Sequence, residues 1–231
     1  MIFLFDIDGT LLLSGGSGRF ALERAMDLHL PAPGAMDRIS CAGKTDRGII
    51  EEACARATGE APDDDLVRRI RDSYTEFLPG ELARNLSFRL MPGVPDVLHA
   101  LRRRKRTWLA IATGNIESGA RFKLERAGLD HLFEVGGYGG DHRERTGILG
   151  EAMEVTARHA GLPLSEMGPV IVVGDTVRDI EAARALGLHA AVLADTTTAV
   201  ELLQAAEPDV IVEDLRELLP WSHKLRGNNR G

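Results

Sequence analysis

The chain has 231 residues, of which 44% are hydrophobic and 27% are charged, and its formal net charge is −7. This composition is typical of a globular protein with a sizeable core. The acidic balance argues against a nucleic-acid binder, which usually carries a basic face, and the lack of a long apolar run argues against a membrane span.

The amino terminus and the cysteine count predict where the protein resides. The first residues include no basic start, and acidic residues interrupt the apolar run, so we expect no secretory signal. Two cysteines are too few for a disulfide framework. We therefore predict a cytoplasmic protein with free thiols, present as a monomer or a homodimer.

Short, continuous apolar runs alternate with helical patterns over most of the chain, as in a parallel sheet that is covered on both faces. The predicted strands occupy residues 2–6, 107–112, 133–136, 170–173, 189–193 and 209–212. The predicted helices between them occupy residues 94–104, 117–127, 146–159, 178–186 and 199–205. This order predicts an α/β fold built on a doubly wound parallel sheet.

A long segment with helical patterns only interrupts this alternation after the first strand. Its three predicted helices occupy residues 19–28, 46–57 and 64–77. Joints that contain glycine and proline flank the segment on both sides. We therefore predict an α/β core formed by residues 1–14 and 89–220, an all-helical insert at 15–88 and a flexible tail at 221–231.

Acidic and polar residues follow three of the predicted strands. They are Asp6 and Asp8 after the first strand, Thr113, Gly114 and Asn115 after the second, and Asp175 and Asp179 after the strand at 170–173. Ligands of parallel sheets bind at the carboxyl ends of the strands. Four carboxylates at one edge repel one another unless a cation compensates, and oxygen ligands favour a hard ion such as Mg²⁺. The sequence thus predicts a magnesium site at this edge.

The motifs FDIDGTLL, IATGN and VVGDTVRDIEAARALG resemble those of the haloacid dehalogenase superfamily, in its phosphoglycolate-phosphatase-like branch. The resemblance extends to the helical insert, which corresponds to the family's cap domain, and it implies a Rossmann-like core. The function that it implies is the Mg²⁺-dependent hydrolysis of a phosphomonoester of a small metabolite, phosphoglycolate-like or a sugar phosphate, through an aspartyl-phosphate intermediate.

The same resemblance implies a role for each aspartate of the first motif. Asp6 is the nucleophile, and Asp8 is the general acid for the leaving alcohol and then the base for water. The second aspartate favours phosphate-ester transfer over dehalogenation. The resemblance also assigns the metal ligands and the groups that hold the phosphoryl oxygens. They are Asp6, the backbone carbonyl of Asp8, Asp175 and a supporting Asp179 for the metal, and Thr113, Gly114 and Asn115 for the phosphoryl group.

The sequence departs from the family pattern at the cation of the third motif. The family has a lysine there, but residues 139–149 (GGDHRERTGIL) contain none, and the whole chain has only four. Arg143 and Arg145 are candidates to replace this lysine, although an arginine fork is not equivalent to a lysine point charge. We prefer Arg145 for that role and expect Arg143 to contact the substrate. Lys123 is a third candidate, but a lysine in a helix is ordinarily solvated.

The resemblance places substrate selection in the cap. The GKTD loop comes just before a predicted cap helix, and Lys44 and Thr45 are candidate substrate-binding residues. Lys44 or Arg47 would contact the distal group of the substrate. Thr45 or Asp46 would equally well cap the helix that follows.

Two alternatives to a phosphatase stay open. A phosphomutase of the β-phosphoglucomutase type has the same core and a similar helical cap. A non-catalytic binding or regulatory protein is the other, because the missing lysine would be consistent with a degenerate site. The expected partner is a small phosphate ester rather than a nucleic acid or a membrane.

Overall fold

A computed structural model describes residues 1–31, 33–194 and 198–227. The strands in this part of the chain are β1 (Ile2–Phe5), β2 (Leu12–Leu13), β3 (Arg89–Leu90), β4 (Trp108–Thr113), β5 (Gly136–Tyr138), β6 (Val170–Gly174), β7 (His189–Leu193) and β8 (Val210–Val212). The α-helices are α1 (Ser17–His29), α2 (Asp46–Thr58), α3 (Asp64–Arg84), α4 (Val94–Arg102), α5 (Glu117–Ala127), α6 (Arg145–Ala160), α7 (Val177–Ala185), α8 (Val200–Ala205) and α9 (Leu218–Gly227).

Six strands form one sheet in the order β5-β4-β1-β6-β7-β8, and every neighbouring pair is parallel. Strand β1 lies in the middle, where Phe5 aligns with Ile111 of β4 on one side and with Val173 of β6 on the other. The carboxyl ends of β1, β4 and β6 therefore lie side by side, and the residues that follow these strands meet at one edge.

Helices cover both faces of the sheet because alternate residues of each strand point to opposite sides. Phe3 and Phe5 of β1 pack in one apolar cluster with α4, α5 and α9. Ile2 and Leu4 pack in a second cluster with α6, α7 and α8. All four side chains are fully buried, which explains the uninterrupted apolar run in the sequence. The predicted α/β fold with a doubly wound parallel sheet is confirmed.

The insert between β2 and β3 contains α1, α2 and α3, which pack around an apolar cluster of their own. Tyr74, Leu78 and Leu82 recur every fourth residue on α3 and form a buried stripe. This stripe continues beyond Pro79, so α3 extends to Arg84 instead of ending near residue 77 as predicted. Apolar burial outweighs the lost backbone hydrogen bond of the proline, a cost of about 3 kcal/mol.

A short antiparallel ribbon joins the two ends of the insert to the core. Its strands β2 and β3 pair Leu12 with Leu90 and Leu13 with Arg89. Two-residue strands are too short to produce a periodic pattern, so this ribbon was not predicted. The ribbon adjoins the predicted joints at residues 14 and 89. The exact boundaries between the α/β core and the helical insert stay a prediction.

The last described helix, α9, overlaps the segment that was predicted to be a flexible tail. The predicted flexible tail at 221–231 begins inside α9, where Ser222 is fully buried, and residues 228–231 lie outside the described residues. The buried Leu218 of α9 belongs to an apolar cluster of the core, which anchors this last helix. Among the described residues, no helix has both the length and the apolar character needed to cross a bilayer.

Candidate active site

Asp6 lies directly after β1, at the centre of the carboxyl edge of the sheet, and it is 93% buried. Its Oδ1 accepts a hydrogen bond from the backbone N–H of Ile7 at 2.8 Å, and its Oδ2 accepts one from Nη2 of Arg145 at 2.6 Å. Burial raises the pKa of Asp6 above its usual value, and the positive charge of Arg145 only partly opposes this. The Asp6 carboxylate is thus held in a fixed orientation at the carboxyl end of β1.

Three carboxylates meet at this point. Oxygens of Asp6, Asp175 and Asp179 all lie within 4.8 Å of one another, and all three residues are buried. Burial and the charges of Asp179 and Asp6 raise the pKa of Asp175 to about 8. Arg145, which pairs with Asp6 and Asp179, compensates only part of this negative charge, and an all-oxygen donor set matches Mg²⁺. The donor set therefore fits the predicted metal.

Asp179 also has structural partners. Its Oδ2 accepts hydrogen bonds from the backbone N–H of Thr176 at 3.0 Å and from the Thr176 hydroxyl at 2.7 Å, which cap the start of α7. Its Oδ1 accepts one from Nε of Arg145 at 2.6 Å. Both oxygens are already engaged, so Asp179 orients Arg145 and supports the carboxylate cluster more than it offers a vacant ligand position.

Two glycines make room for this cluster. A Cβ at Gly9, whose φ is +82°, would lie 2.2 Å from a carboxylate oxygen of Asp175. A Cβ at Gly174 would lie 2.2 Å from the carboxyl carbon of Asp179. Any side chain at either position would displace a carboxylate. Both motifs therefore contain glycine because the backbone and the aspartates approach each other closely.

Asp8 lies two residues beyond Asp6 but in a different electrostatic setting. Its carboxylate accepts hydrogen bonds from the Ser14 hydroxyl at 3.0 Å, from Nδ2 of Asn115 at 2.9 Å and from Nζ of Lys123 at 2.5 Å. Burial opposes ionisation, but the Lys123 ammonium and these hydrogen bonds together lower the pKa of Asp8. The pKa values of the two aspartates of the first motif are therefore shifted in opposite directions, upward for Asp6 and downward for Asp8.

The turn after β4 links the two aspartates. Asn115 uses its Nδ2 group to donate to Asp8 and also to Oγ1 of Thr113, at 2.8 Å for the second bond. The hydroxyl of Thr113 is fully buried and bonds to Asp6. Thr113, Gly114 and Asn115 thus reach the position predicted for them, and all three line the cavity in front of Asp6.

Lys123 is a second buried cation of the site. It lies on α5, is 97% buried, and donates to Asp8 and to Oδ1 of Asn115 at 2.6 Å. The expectation that this helical lysine is solvated is therefore wrong. Arg145 occupies the predicted position beside Asp6, so the site contains both an arginine and a lysine, each paired with a different aspartate of the first motif.

The predicted substrate-binding residues of the insert and of the segment before α6 are placed differently. Arg143 is 66% exposed and binds both carboxylate oxygens of Glu51, away from the cavity. Thr45 is buried, and its Oγ1 caps α2 by accepting from the backbone N–H of Gly48. Lys44 does line the cavity, but its ammonium group pairs with Glu52. Local ion pairs and capping thus engage all three side chains.

Asp46 connects the insert to the core. Its Oδ2 accepts from the backbone N–H of Ile116 at 2.8 Å, at the start of α5, and its own N–H donates to the carbonyl of Gly114 at 2.7 Å. Burial raises the pKa of Asp46 to about 6. This residue therefore caps a core helix, whereas Thr45 caps the insert helix.

The raised pKa of Asp46 predicts a pH-dependent stability. Below about pH 3.8 the carboxyl is protonated in both states, but from there to about pH 6 only the folded protein keeps the proton. The free energy of unfolding therefore falls over this window as pH rises, by at most about 3 kcal/mol from this group. Asp46→Asn removes this cost, so urea unfolding from pH 4 to 7 should show the variant gaining stability relative to wild type as pH rises. Asp37→Asn, at an exposed position of the same insert, is the control, and an Asp46→Asn difference that stays constant over this window contradicts the prediction.

A cavity of about 380 Å³ opens between the carboxyl edge of the sheet and the insert. Its polar end contains the three aspartates Asp6, Asp8 and Asp175. Other core residues, among them Thr113, Asn115 and Lys123, line it as well, and the insert and the ribbon form the rest of the lining. Sequence reasoning missed further cavity-lining side chains, namely Ser14, Arg19, Tyr74 and Arg89. The only signal for Ser14 is its place in the glycine-bearing joint, and no local pattern identifies the others.

The geometry agrees with the comparison against known families. A model of the haloacid dehalogenase-like hydrolases matches residues 1–187, which is most of the chain. The protein belongs to this family. The match includes β1 with Asp6 and Asp8, the whole insert, the turn after β4, and the Asp175–Asp179 segment. The predicted family and the predicted enzyme class, a haloacid dehalogenase-like phosphoric monoester hydrolase, are confirmed.

Known relatives cover nearly the whole chain. The phosphoglycolate phosphatase of Escherichia coli K12 is 30% identical over 94% of this chain and 90% of its own. A hydrolase from Pseudomonas syringae has a similar structure, with a TM-score of 0.69, 22% identity and coverage of 97% and 99% of the two chains. CbbY from Rhodobacter sphaeroides, in complex with xylulose-(1,5)-bisphosphate, has a TM-score of 0.70, 21% identity and coverage of 94% and 96%. These two structures share the fold of this protein.

Proposed function

We propose that the protein is a Mg²⁺-dependent phosphatase that hydrolyses a phosphomonoester of a small metabolite through an aspartyl-phosphate on Asp6. The observation that carries the proposal is the contrast between the two aspartates of the first motif. Asp6 faces Arg145 within the carboxylate cluster, and Asp8 faces Lys123, Asn115 and Ser14. Asp6 therefore lies beside the proposed metal ligands, as a nucleophile that attacks an anionic phosphate requires, and the hydrogen bonds of Asp8 orient its carboxylate for proton transfer.

In the first half-reaction, an oxygen of the Asp6 carboxylate attacks phosphorus. The bond between phosphorus and the ester oxygen breaks, and Asp8 gives its proton to the departing alkoxide oxygen. Backbone N–H groups of the turn after Thr113 and the Thr113 hydroxyl stabilise the phosphoryl oxygens. The products of this step are the free alcohol and phosphorylated Asp6.

In the second half-reaction, water attacks the phosphorylated Asp6. Asp8, now ionised, takes the proton of the water, and the bond between phosphorus and the Asp6 oxygen breaks to release phosphate. Lys123 favours the ionised form of Asp8 that this step needs. The negative charge of a bound phosphate ester acts in the opposite direction, so substrate binding favours proton uptake by Asp8 for the first step.

We assign the metal to Asp6, the backbone carbonyl of Asp8 and Asp175, with Asp179 as a support. When bound, Mg²⁺ neutralises the charge that otherwise keeps an anionic nucleophile away from an anionic phosphate. Arg145 contributes to the same neutralisation by binding Asp6 and Asp179 together. We also propose that the insert, residues 15–88, acts as a cap that closes over the core and excludes water.

Two relatives favour a small anionic substrate. The Escherichia coli relative is a phosphoglycolate phosphatase, and CbbY was solved with a sugar bisphosphate. Phosphoglycolate and the sugar bisphosphate each carry a phosphate ester on a short carbon chain. We therefore place the substrate of this protein among phosphoglycolate-like acids and sugar phosphates.

Removal and restoration of metal tests this proposal. Phosphate release from a panel of small phosphomonoesters should require MgCl₂, stop in EDTA and return with excess Mg²⁺. Mg²⁺ should also raise the melting temperature of wild type, and it should raise the melting temperature of Asp175→Asn much less. Because Asp175, with a pKa of about 8, must lose its proton to bind the ion, the affinity for Mg²⁺ should increase from pH 6 to 8.

The outcomes separate the three functions. Metal-dependent release of free phosphate supports a phosphatase. Conversion of a sugar 1-phosphate into the 6-phosphate without free phosphate identifies a mutase instead. Tight binding of phosphate esters with no turnover of any kind identifies a binding protein with a degenerate site.

A further inference from the structure

One wall of the active-site cavity comes from the insert and the ribbon rather than from the sheet. We call this the insert wall, and its residues are Leu13, Leu22, Ile49, Tyr74 and Arg89. The cavity volume of about 380 Å³ lies in the range of roughly 300–1,000 Å³ that is typical of sites for drug-sized ligands. A phosphoryl group at Asp6 therefore leaves much of the space for the rest of the substrate.

The cationic side chains of the cavity differ in what they bind. They are Arg19, Lys44, Arg89, Lys123 and Arg145. Arg145 and Lys123 bind aspartates of the active site, and Lys44 binds a glutamate of α2. Arg19 donates to two backbone carbonyl groups of the insert. Within the part of the chain that the structure describes, Arg89 is the one with no hydrogen bond or ion pair, so its charge is available to a ligand.

The ribbon fixes the position of Arg89. The residue lies in β3 directly opposite Leu13 of β2, so the two side chains share one side of the ribbon, and both line the cavity. A guanidinium group offers a planar set of N–H donors that matches a carboxylate or a phosphate. The insert wall thus presents an exposed guanidinium group, unpaired among the described residues, to an anion in the cavity.

Tyr74 provides a second, independent observation. The residue is 98% buried on α3, yet no described residue forms a hydrogen bond with its hydroxyl, which belongs to a side chain lining the cavity. Glycines leave room beside it, since a Cβ at Gly119 would lie 3.1 Å from the hydroxyl and one at Gly18 would lie 3.6 Å from it. The Tyr74 hydroxyl therefore has its hydrogen-bonding capacity free for an oxygen of a ligand in the cavity.

We propose that the substrate is a phosphomonoester that carries a second anionic group, a carboxylate or another phosphate, on a hydroxylated carbon chain longer than that of glycolate. Arg89 binds the second anion, and Tyr74 donates a hydrogen bond to an oxygen of the chain. Leu22 and Ile49 contact the carbon–hydrogen side of the chain. This inference rests on the proposed phosphatase function and specifies its substrate class.

Matched substrate pairs test the second anion. The first pair is 3-phosphoglycerate and glycerol 3-phosphate, which differ in a carboxylate, and the second is fructose 1,6-bisphosphate and fructose 6-phosphate, which differ in a phosphate. The member of at least one pair that carries the second anionic group should have a kcat/KM at least ~10-fold higher. The pair with the larger ratio identifies the second anion, and 2-phosphoglycolate, whose second anion lies on a shorter chain, should be a poorer substrate than the preferred longer ester.

Variants of the insert wall link this preference to the residues. Arg89→Gln should reduce the preference for the ester with the second anionic group by roughly 10- to 100-fold, mainly through KM, because the lost interaction is one of binding. Arg89→Lys should retain part of it. Tyr74→Phe should lower kcat/KM for the preferred ester about 3- to 10-fold.

Each variant has a matched control outside the cavity. Arg56→Gln removes an exposed arginine of α2, and Tyr138→Phe removes a buried hydroxyl that has no hydrogen-bond partner among the described residues, so both should behave as wild type. The inference is overturned if the esters without a second anionic group are hydrolysed as well as those that carry one, or if Arg89→Gln lowers kcat/KM equally for both members of a pair. If no ester releases phosphate, the proposed phosphatase function fails instead.

Discussion

Replacing Asp6 with asparagine is expected to lower kcat for phosphate release at least ~1,000-fold, because the amide has no anionic oxygen to attack phosphorus. The fold should persist. The pKa of Asp6 is raised mainly by burial and also by the charge of Asp179. At a pH above its ordinary pKa of 3.8, ionisation of Asp6 therefore lowers the stability of the folded state. Loss of this charge should therefore leave the melting temperature in metal-free buffer equal to or above that of wild type.

Steady-state phosphate release and thermal melts of wild type, Asp6→Asn and Asp6→Ala measure both effects. Acid quenching during turnover should trap a phosphoprotein in wild type that hydroxylamine cleaves, and neither variant should form it. Turnover within tenfold of wild type by both folded variants would refute Asp6 as the nucleophile.

Replacing Arg145 with methionine is expected to have the largest combined effect on stability and activity. Its guanidinium is the partner of both Asp6 and Asp179, and all three side chains are buried. Removing one partner of a buried ion pair costs about 3–5 kcal/mol of stability, because the remaining charges are left uncompensated. Turnover should fall at least ~100-fold with the loss of a positive group beside the phosphoryl site.

The comparison with the neighbouring cations makes this prediction specific. Arg145→Lys keeps the charge and should recover much of the stability. Lys123→Met should lower turnover roughly 100-fold and shift the acid limb of the pH–rate profile upward, because the Lys123 ammonium is the main group that lowers the pKa of Asp8. Arg143→Met removes an exposed ion pair with Glu51 and should change stability by less than about 1 kcal/mol and activity by less than about twofold.

Chemical denaturation of the four variants measures their stability, and initial rates measure their turnover. If Arg143→Met impairs turnover as strongly as Arg145→Met, the arrangement of charges around Asp6 has been misinterpreted. If Lys123→Met has the activity and pH profile of wild type, Lys123 has no part in positioning Asp8.

The main sheet and its polar edge could be predicted because they depend on local patterns. A strand buried on both faces has a continuous apolar sequence, as in Ile2–Phe5, and the next residue necessarily lies at the carboxyl end of the strand. Parallel strands bring these ends to one edge, so Asp6, Thr113 and Asp175 could be grouped without any coordinates. The ribbon and the extension of α3 beyond Pro79 could not, since each depends on packing partners remote in sequence.

The positions of the cations show the limit of local patterns most clearly. Lys123 lies on the same face of α5 as Gly119, Ala120 and Leu124, all of which are buried. That spacing was the available signal, but a lysine on a helix is so commonly solvated that its burial becomes evident only once Asp8 and Asn115 are placed beside it. Arg143 and Arg145 are two residues apart, and only the packing of α6 against β1 and α7 directs one to Asp6 and leaves the other at the surface.

The sequence by itself determined the α/β core, the helical insert and the aspartates at the strand ends, because periodic burial and strand direction are local properties of the chain. The tertiary structure decided which cations meet which aspartates. It also decided which side chains of the insert line the cavity. Charge pairing depends on distances between segments more than 100 residues apart, as for Lys123 with Asp8 and Arg145 with Asp6. No local sequence pattern contains those distances.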